Sequence, residues 1–564
     1  MSCQFVLAGG GSGKSHGAPS CPVSIPLSTA STFRSLLRLK QAVAEKFNVI
    51  DPSTLSFSTD GSAVSEDLSS LLQSKTPVTV LVDGHAVVDP PGPSGLPFLG
   101  SHTEVYPDHI GNHERLFQQY GSVFQTTVMG RTVYHTNDPE ITGHVFKESA
   151  FFTKEINKDH PLFGVLSPHA GVFLTSTHTA IWKEAHKFMV PSMGPKAIDK
   201  HMVTVLAIVR STFPVFDELE RTRQAFNTYD LMLKLSSQIV GKLFIDADFG
   251  HFDAADAPIH ITVRTIYKLL GLNKKVTSWG DWYTWLPFGD PKRLRDTWHE
   301  VGERVAGHIA QAKVGEGDVP LQEAAVKTEN LTDYFLRAVD NKGNKLPAPT
   351  RQPALIVAVT AGFVTTSALL SWLLFGLTSY EGCQAAILQE LVDNGMTEDT
   401  DMSGTFIAQL AYLDKYVKET QRHHTTSFQP ARTARVDLVL PNGMRLPKGA
   451  VVIPEVHHLH HNPGVWENPN RFDPGRWDTE QVKDRHRAAY IPFAMGPRMC
   501  IAMNFVLREV KTILAQLVYR YEFVRVNPTE PIEYDPMFQT IRPRNLYQTT
   551  RRRTQWPSPS KAAV

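Results

Sequence analysis

The chain has 564 residues, a hydrophobic fraction of 42% and a formal net charge of +1. Its length exceeds what one hydrophobic core usually fills, so two domains are expected. The balanced charge gives no electrostatic reason to expect nucleic acid as a partner. Four scattered cysteines show neither metal-binding nor disulfide spacing, which predicts a reducing compartment; they are Cys3, Cys21, Cys383 and Cys500.

The first 88 residues alternate short apolar runs with turn-forming residues around one amphipathic helical pattern. The helix is predicted from about Phe33 to Phe47, with Ser31 or Thr32 as its N-cap. An Asp-Gly-Ser turn and a short second helical run follow the third strand. The four predicted strands are Gln4–Ala8, Val23–Leu27, Leu55–Ser58 and Val78–Val82. This order predicts a small α+β domain.

The segment AGGGSGKS, from Ala8 to Ser15, satisfies a loose phosphate-binding-loop pattern. A working loop of this kind runs directly into a helix whose N-terminus faces the phosphates. Here HGAPSCP follows, with two prolines and no helical period. A flexible loop of glycine and serine explains the segment better, so no nucleotide site is expected.

The stretch VVDPPGPSGLPFLG, from Val87 to Gly100, is rich in proline and glycine and predicts a domain boundary. We therefore divide the chain into a first domain at residues 1–88, a hinge at 89–100 and a second domain at 101–564. The second domain is predicted to be mainly helical, with short strands near Thr126–His135 and Arg435–Val452.

The N-terminus has neither the basic and apolar regions of a signal peptide nor an apolar anchor of about 20 residues. One internal stretch, Ala354–Leu377, is long and apolar enough to resemble a membrane span. A helix that is apolar all round fits either a membrane or a large core, and the threonine and serine residues here favour the core. We expect a cytoplasmic protein without a transmembrane anchor, and leave peripheral contact with a membrane open.

Two helical patterns carry polar or aromatic residues at spacings that share one helix face. Trp182 and His186 are four residues apart in LTSTHTAIWKEAHKFM. Glu419 and Arg422 are three apart in LAYLDKYVKETQR. If exposed, the latter pair would contribute only a few tenths of a kcal/mol. A later turn-rich run, ENPNRFDPGRW, adds Arg476.

The most informative segment is FAMGPRMCIAMNFVLREV, which places Cys500 after a glycine turn, next to Arg498 and before an amphipathic helix. A tight turn, a nearby cation and a helix N-terminus are the features that stabilise a cysteine thiolate. The alternative for a lone cysteine is a small buried hydrophobic residue.

This segment resembles the haem-ligand signature of the cytochrome P450 family, Phe-x-x-Gly-x-Arg-x-Cys-x-Gly, with Ala502 at the last glycine. The resemblance implies that Cys500 binds the iron of haem b (iron protoporphyrin IX) as a thiolate, which favours O–O cleavage. It also implies that Arg498, Trp182 and His186 contact the haem propionates. Glu419, Arg422 and Arg476 match the family's buried ionic triad, which fixes structure rather than carrying out catalysis.

The stretch AGFVTTSALLSWLLFGL resembles the family's long helix over the distal haem face. The matching residues include Ala361, Gly362, Thr365 and Thr366, and the resemblance implies that Thr365 is the distal proton donor. Valine stands at position 364, where the family has an acid, which puts the usual proton relay in doubt. The alternative for Thr365 is a hydroxyl that bonds back to its own helix.

The sequence therefore predicts a mainly α cytochrome P450 fold with small β-sheet regions, preceded by a small α+β domain. The order of the N-terminal elements is similar to that of β-grasp ubiquitin-like domains, and protein–protein contact is the expected role of that domain.

The expected reaction inserts one oxygen atom from O2 into an apolar small molecule, such as a fatty acid, a terpenoid or another secondary metabolite. The WKEAH and VPSM segments look most like soluble fatty-acid hydroxylases, which are often fused to a flavin reductase. Since no such domain follows the last helix, electrons are expected from a separate NADPH-dependent flavin reductase or another donor. Two alternatives are a haem-thiolate enzyme that rearranges a peroxide or oxygenated intermediate without a reductase, and a non-catalytic haem-binding or scaffold protein acting through its N-terminal domain.

Overall fold

The computed structural model describes residues 2–9, 23–26, 35–59, 64–155, 157, 160, 177, 179–426, 430–535 and 540–560. The helices are α1 (Leu36–Phe47), α2 (Leu68–Gln73), α3 (His102–Val105), α4 (His109–Tyr120), α5 (Pro139–Phe146), α6 (Ala180–Ser192), α7 (Pro195–Ser211), α8 (Phe213–Arg221), α9 (Thr228–Ile245), α10 (Ile261–Thr277), α11 (Asp281–Thr284), α12 (Gly289–Gln311), α13 (Leu321–Lys327), α14 (Leu331–Arg337), α15 (Ala348–Ser379), α16 (Cys383–Asp393), α17 (Gly404–Gln409), α18 (Ala411–His423), α19 (Val456–His460), α20 (Glu480–Asp484) and α21 (Met503–Arg520).

The strands are short and belong to several small sheets. They are β1 (Ser2–Leu7), β2 (Val23–Pro26), β3 (Leu55–Ser58), β4 (Val78–Val82), β5 (Val123–Val128), β6 (Arg131–Thr136), β7 (Phe152–Thr153), β8 (Phe226–Asn227), β9 (Val319–Pro320), β10 (Ala338–Val339), β11 (Arg432–Ala434), β12 (Leu438–Val439), β13 (Arg445–Leu446), β14 (Val451–Pro454), β15 (Tyr521–Arg525) and β16 (Tyr547–Arg552). The chain forms two compact units.

The first unit comprises residues 1–104, 112–160 and 431–454. Its N-terminal sheet has the order β2-β1-β4-β3, with β1 and β4 parallel and the other two pairs antiparallel. Helix α1 covers this sheet because its apolar residues recur every four positions: Leu39, Val43 and Phe47 all join the buried core. A second, five-stranded sheet in this unit has the order β5-β6-β14-β11-β7.

The N-terminal region shares its core with a hairpin far along the chain, formed by β12 and β13. Val439 from β12 is buried in the same cluster as the side chains of α1. The Asn48 side chain donates to the carbonyl of Asp437 at 2.9 Å, and the Val88 N–H donates to Gly443 at 3.1 Å. Residues 1–88 therefore pack against residues of the second predicted domain.

The second unit comprises residues 105–111, 161–430 and 455–564 and is mainly helical. Its centre is α15, whose 32 residues pack along α9. Gly362 permits this approach, because a Cβ atom there would lie 3.1 Å from a methyl group of Val240. Within the described residues, α15 alone is long and apolar enough to cross a membrane, yet 72% of its most apolar window is buried in the protein. That burial is the state predicted for Ala354–Leu377.

The strands and the long helix predicted for the N-terminal region are present in the structure, with small shifts at their ends. Strands β3 and β4 have the predicted bounds, and α1 begins at Leu36 rather than near Phe33. Ser35 occupies its N-cap position without a side-chain hydrogen bond. The predictions for Ser31, Thr32, the Asp-Gly-Ser turn at residues 60–62 and the glycine-rich segment from residue 10 onward lie outside the described residues.

Candidate functional site

Cys500 lies in a tight loop between a short 3₁₀ turn, Gly496–Arg498, and the start of α21. Gly496 has φ +76°, a left-handed conformation that glycine adopts without strain. The Cys500 N–H donates to the carbonyl of Phe493 at 2.9 Å, which closes the loop. Ala502 has φ −94° and ψ 12°, so an alanine fits where the family signature has glycine.

The Cys500 side chain keeps accessible surface, although the surrounding protein desolvates the thiol. Burial raises the pKa of the Cys500 thiol, and a hydrogen bond from the backbone N–H of Ala502 offsets only part of this increase. The sequence suggested that Arg498 would stabilise the sulfur. In the structure its guanidinium lies instead over the Trp182 ring, 5.0 Å from the ring centre. A metal ion bound to the sulfur would deprotonate the thiol directly.

Trp182 and His186 project from α6 as the helical spacing predicted, and their rings stack with centres 4.6 Å apart. Thr179 caps this helix by accepting from the Trp182 N–H at 3.2 Å, which fixes where the first turn begins. Burial, and secondarily the charge of Arg498, lowers the pKa of His186. The structure thus brings Arg498, Trp182 and His186 into one cluster with a permanent positive charge.

The helix α15 is buried along most of its surface but keeps one accessible stripe. Val357, Ala361 and Thr365 form the stripe at intervals of four residues. The Thr365 hydroxyl donates to the carbonyl of Ala361 at 3.0 Å, so it bonds back to its own helix. The hydroxyl oxygen still has lone pairs on the accessible side of the helix.

Val364 does not belong to this stripe. Its side chain is 2% exposed and packs in the main hydrophobic core of the second unit. A carboxylate at this position would be buried among apolar side chains, which is costly without a partner. The valine therefore suits its surroundings, and the hydroxyl of Thr365 is left as the accessible polar group at this turn.

The predicted ionic triad is formed and buried. Arg422 donates to both Glu419 oxygens at 3.0 and 2.9 Å, and Arg476 donates to Glu419 at 3.4 Å. Glu419 also accepts from the Asp473 N–H at 2.9 Å and the Trp477 indole at 3.2 Å. Because neither member of the Glu419–Arg422 pair is accessible, the Glu419 carboxylate depends on these bonds. The two arginines also donate to backbone carbonyls, Arg422 to His460 at 2.9 Å and Arg476 to Arg471 at 3.0 Å.

The helix that follows Cys500 carries one buried ionisable group that is not among the residues predicted from the sequence. Glu509 in α21 is 1% exposed, and neither of its carboxyl oxygens has a hydrogen-bond partner among the described residues. Burial raises its pKa to about 8. The signal was present in FVLREVKTILAQLV, where the acid shares the apolar face with Phe505.

Replacing Glu509 with glutamine should remove a pH dependence of stability. The free carboxyl of the unfolded chain ionises above about pH 4.5, whereas the folded one stays protonated to about pH 8. The folded state therefore binds more protons in this window, and its stability falls as pH rises, by roughly 1.4 kcal/mol per pH unit. In denaturant unfolding, the free energy of unfolding of Glu509→Gln relative to the wild type should therefore be higher at pH 8 than at pH 5.

The exposed Glu480 supplies the control, because Glu480→Gln should leave the pH dependence unchanged. Parallel pH profiles for wild type and Glu509→Gln would contradict a protonated Glu509.

Comparison with known proteins assigns the family. Residues 90–551 match the family model described as Cytochrome P450. A cytochrome P450 monooxygenase of Emericella nidulans, alnD, is 46% identical over 527 residues, which cover 93% of this chain and 95% of that protein. This alignment necessarily includes part of the chain before residue 90.

More distant relatives match over shorter stretches. Rat cytochrome P450 4F4 is 34% identical over 210 residues, covering 36% of this chain and 40% of that protein. Human cytochrome P450 4F2 is 34% identical over 221 residues, covering 38% and 42%. The crystal structure of the cytochrome P450DA heme domain superposes with a TM-score of 0.70 at 21% identity, covering 83% of this chain and 98% of that one, and so shares the fold.

The chain belongs to the cytochrome P450 family. It is an oxidoreductase of the monooxygenase class, and its cofactor is haem (iron protoporphyrin IX). The residues present fit this group: a cysteine with an accessible side chain is held in a closed loop, and a cationic and aromatic cluster is available for the carboxylates. The small side chains along the α15 stripe leave room beside that helix.

Proposed function

We propose that this enzyme inserts one oxygen atom from O2 into a C–H or C=C bond of an apolar small molecule, such as a fatty acid, a terpenoid or another secondary metabolite. The observation that carries this proposal is the accessible stripe of α15. It consists of Val357, Ala361 and Thr365, with the partly accessible Thr360 and Gly362 beside it, and none of these residues is charged. The Thr360 and Thr365 hydroxyls already bond to carbonyls of their own helix, so the stripe suits a ligand without strong polar groups.

The proposed roles of the site residues follow the family motif. Cys500 supplies the thiolate ligand, while Arg498, Trp182 and His186 hold the propionates. Haem, when bound, supplies the activation of dioxygen. Thr365 would hold a proton at its Oγ1 atom and release it on the accessible side of the helix. Electrons would come from a separate NADPH-dependent flavin reductase or an equivalent donor.

Replacing Thr365 with alanine should lower the product formed per NADPH consumed and raise the share of electrons lost as hydrogen peroxide. Positioned proton donors of this kind contribute about 10²–10⁴-fold in rate. With Val364 buried in the core, this turn of the helix offers no side-chain acid to substitute. Coupling would be measured with a surrogate reductase, on a substrate found by a spin-shift screen of fatty acids, terpenoids and polyketide-like aromatics.

Thr366 is the matched control. It is the same residue type and bonds back to Gly362 at 2.8 Å, but it is 1% exposed. Thr366→Ala should keep wild-type coupling. Unchanged coupling in Thr365→Ala would remove Thr365 from the proposed catalytic residues. Turnover without any electron donor would favour the peroxide-rearranging alternative.

For the N-terminal region we propose a β-grasp, ubiquitin-like domain at residues 1–88, joined by the hinge at 89–100 to a haem domain at 101–564. The mixed sheet order β2-β1-β4-β3 with its parallel central pair, and the single long helix between β2 and β3, support this proposal. Its proposed role is contact with a protein partner. Two apolar side chains that this region exposes, Leu37 at 57% and Val64 at 54%, are compatible with such a role.

A shortened chain beginning at Val87 should still incorporate haem and bind substrate. The proposed haem-binding residues all lie in the second unit, outside the segment removed. The truncation uncovers Val439 and removes the hydrogen bond from Asn48 to Asp437, so a lower melting temperature is expected alongside haem retention. Haem content and thermal unfolding of the purified protein test this. Insoluble apoprotein alone would show that residues 1–88 are part of one indivisible core.

We also propose a cytoplasmic location, with peripheral contact to a membrane left open. The burial of α15 inside the second unit supports a role as a core helix rather than as an anchor.

A further inference from the structure

Two carboxylates and one imidazole meet in the first unit, which does not contain the cysteine loop. They belong to Asp51, in the segment after α1, and to Glu140 and His144, both on α5. One candidate ligand atom from each of the three side chains lies within 4.8 Å of the other two. No part of the proposed oxygen chemistry uses these residues.

Apolar packing beneath the three side chains brings them together. Ile50, next to Asp51, packs against the buried cluster that contains Ile141 and Val145 of α5. The Ile50 N–H also donates to the carbonyl of Val439 at 3.0 Å, which ties the same segment to β12. The meeting of Asp51 with α5 therefore follows from the core of this unit.

Local geometry orients the candidate ligands. Asp51 accepts from the Ser53 N–H at 2.8 Å, which holds its carboxylate at the start of a short 3₁₀ turn. Carboxylates that bind metal ions in proteins are commonly held by a further hydrogen bond of this kind. Glu140 and His144 are four residues apart, so they share one face of α5.

The two carboxylates have no basic side chain to balance their charge. Within the described residues, neither Asp51 nor Glu140 forms an ion pair with a lysine or an arginine. Asp290 shows the contrast, because Lys275 lies 2.6 Å and Arg293 lies 3.2 Å from its oxygens. Like charges placed together repel, and a bound cation removes that repulsion. The charge of this group therefore favours a cation from solution.

The spread of the ligand atoms already suits one shared ion. Divalent ions bind protein nitrogen and oxygen atoms at about 2.0–2.6 Å, so two ligands of one ion lie up to roughly 5 Å apart. The imidazole favours zinc, copper or nickel over magnesium and calcium, which prefer oxygen ligands. Zinc in particular is bound by His, Asp and Glu side chains, with water completing an open site.

We propose that Asp51, Glu140 and His144 bind a divalent transition-metal ion, with zinc as the reference ion. The ion would join the segment after α1 to α5 and so fix residues 1–88 against the rest of the first unit. Such a site would be structural, and it does not depend on the proposed oxygen chemistry.

The first test titrates the chelator-treated holoenzyme with Zn²⁺ in competition with a chromophoric chelator. The double variant Asp51→Asn/His144→Gln should bind zinc at least about tenfold more weakly than the wild type. Asparagine at position 51 keeps an oxygen that can accept from Ser53, and haem absorbance reports that the fold is intact. Unchanged zinc affinity in the folded variant would overturn the proposal.

Helix α12 supplies a matched control. His299 and Glu303 are also a histidine and a carboxylate four residues apart, and both are exposed. Among the described residues they have no third ligand within the same reach. The variant His299→Gln/Glu303→Gln should therefore keep the zinc affinity of the wild type.

Hydrogen exchange followed by mass spectrometry locates the ion without any variant. Zinc should slow the exchange of backbone amides in residues 49–54 and 139–146 of the chelator-treated wild type. Calcium at the same concentration should have little effect, because it prefers oxygen ligands only. Equal protection by calcium would overturn the proposal, since His144 would then play no part. Unchanged exchange in both segments at saturating zinc would overturn it as well, because the ion would then bind elsewhere.

Discussion

Replacing Cys500 with serine is expected to abolish product formation. The loop that holds this residue is closed by the hydrogen bond from the Cys500 N–H to the carbonyl of Phe493. The side chain of Cys500 remains accessible. A thiolate ligand is the electronic element that favours O–O cleavage, and a serine hydroxyl does not replace it. Turnover with a surrogate reductase and haem content per chain would be measured together, because serine could also weaken haem retention.

Cys383 is the control for a general effect of removing a thiol. It is 4% exposed at the start of α16, and burial raises its pKa, so it behaves as an inert core cysteine. Cys383→Ser should retain both haem and activity, and should lose only a moderate amount of stability. A Cys500→Ser variant that retained wild-type turnover would refute the assignment of Cys500 as the ligand.

Removing the carboxylate of Glu419 is expected to have the largest effect on stability. Glu419→Ala leaves the guanidinium of Arg422 buried without its counter-charge and takes away the acceptor of the Asp473 N–H and the Trp477 indole. Removing one partner of a buried pair typically costs about 3–5 kcal/mol, because the remaining charge is uncompensated. Denaturant unfolding of the holoenzyme, with haem content of the soluble fraction as a second readout, checks this.

The chain contains a matched control for the Glu419 experiment. Glu218 and Arg221 have the same three-residue spacing and the same two-bond fork, at 2.7 and 2.8 Å, but both side chains are largely exposed. Water screens such a pair, so Glu218→Ala should be close to neutral. Equal losses of stability in Glu419→Ala and Glu218→Ala would show that burial of the triad does not matter.

Local patterns in the sequence predicted the structural features whose contacts lie within one or two helical turns. The spacing of Trp182 and His186 predicted that both residues lie on one face of α6, where their rings stack, and the pattern from Phe33 to Phe47 predicted the helix α1. The family motif added Arg476, which is far from Glu419 in sequence yet bonds to it. These features follow from periodicity and from motif order, both of which a single sequence contains.

Other features depend on which distant segments meet, and periodicity does not contain that information. The packing of Val439 against the N-terminal helix joins residues that are hundreds of positions apart. The position of Arg498 over Trp182, rather than beside the sulfur, depends on how α6 meets the Cys500 loop. The meeting of Asp51 with Glu140 and His144 likewise arises only when the segment after α1 packs against α5.

The most direct test of the central claim is the absorption spectrum of the reduced, carbon-monoxide-bound wild-type protein. If the sulfur of Cys500 binds the haem iron, the Soret band will show the strong red shift of a thiolate ligand. A Soret band typical of histidine ligation would contradict the account.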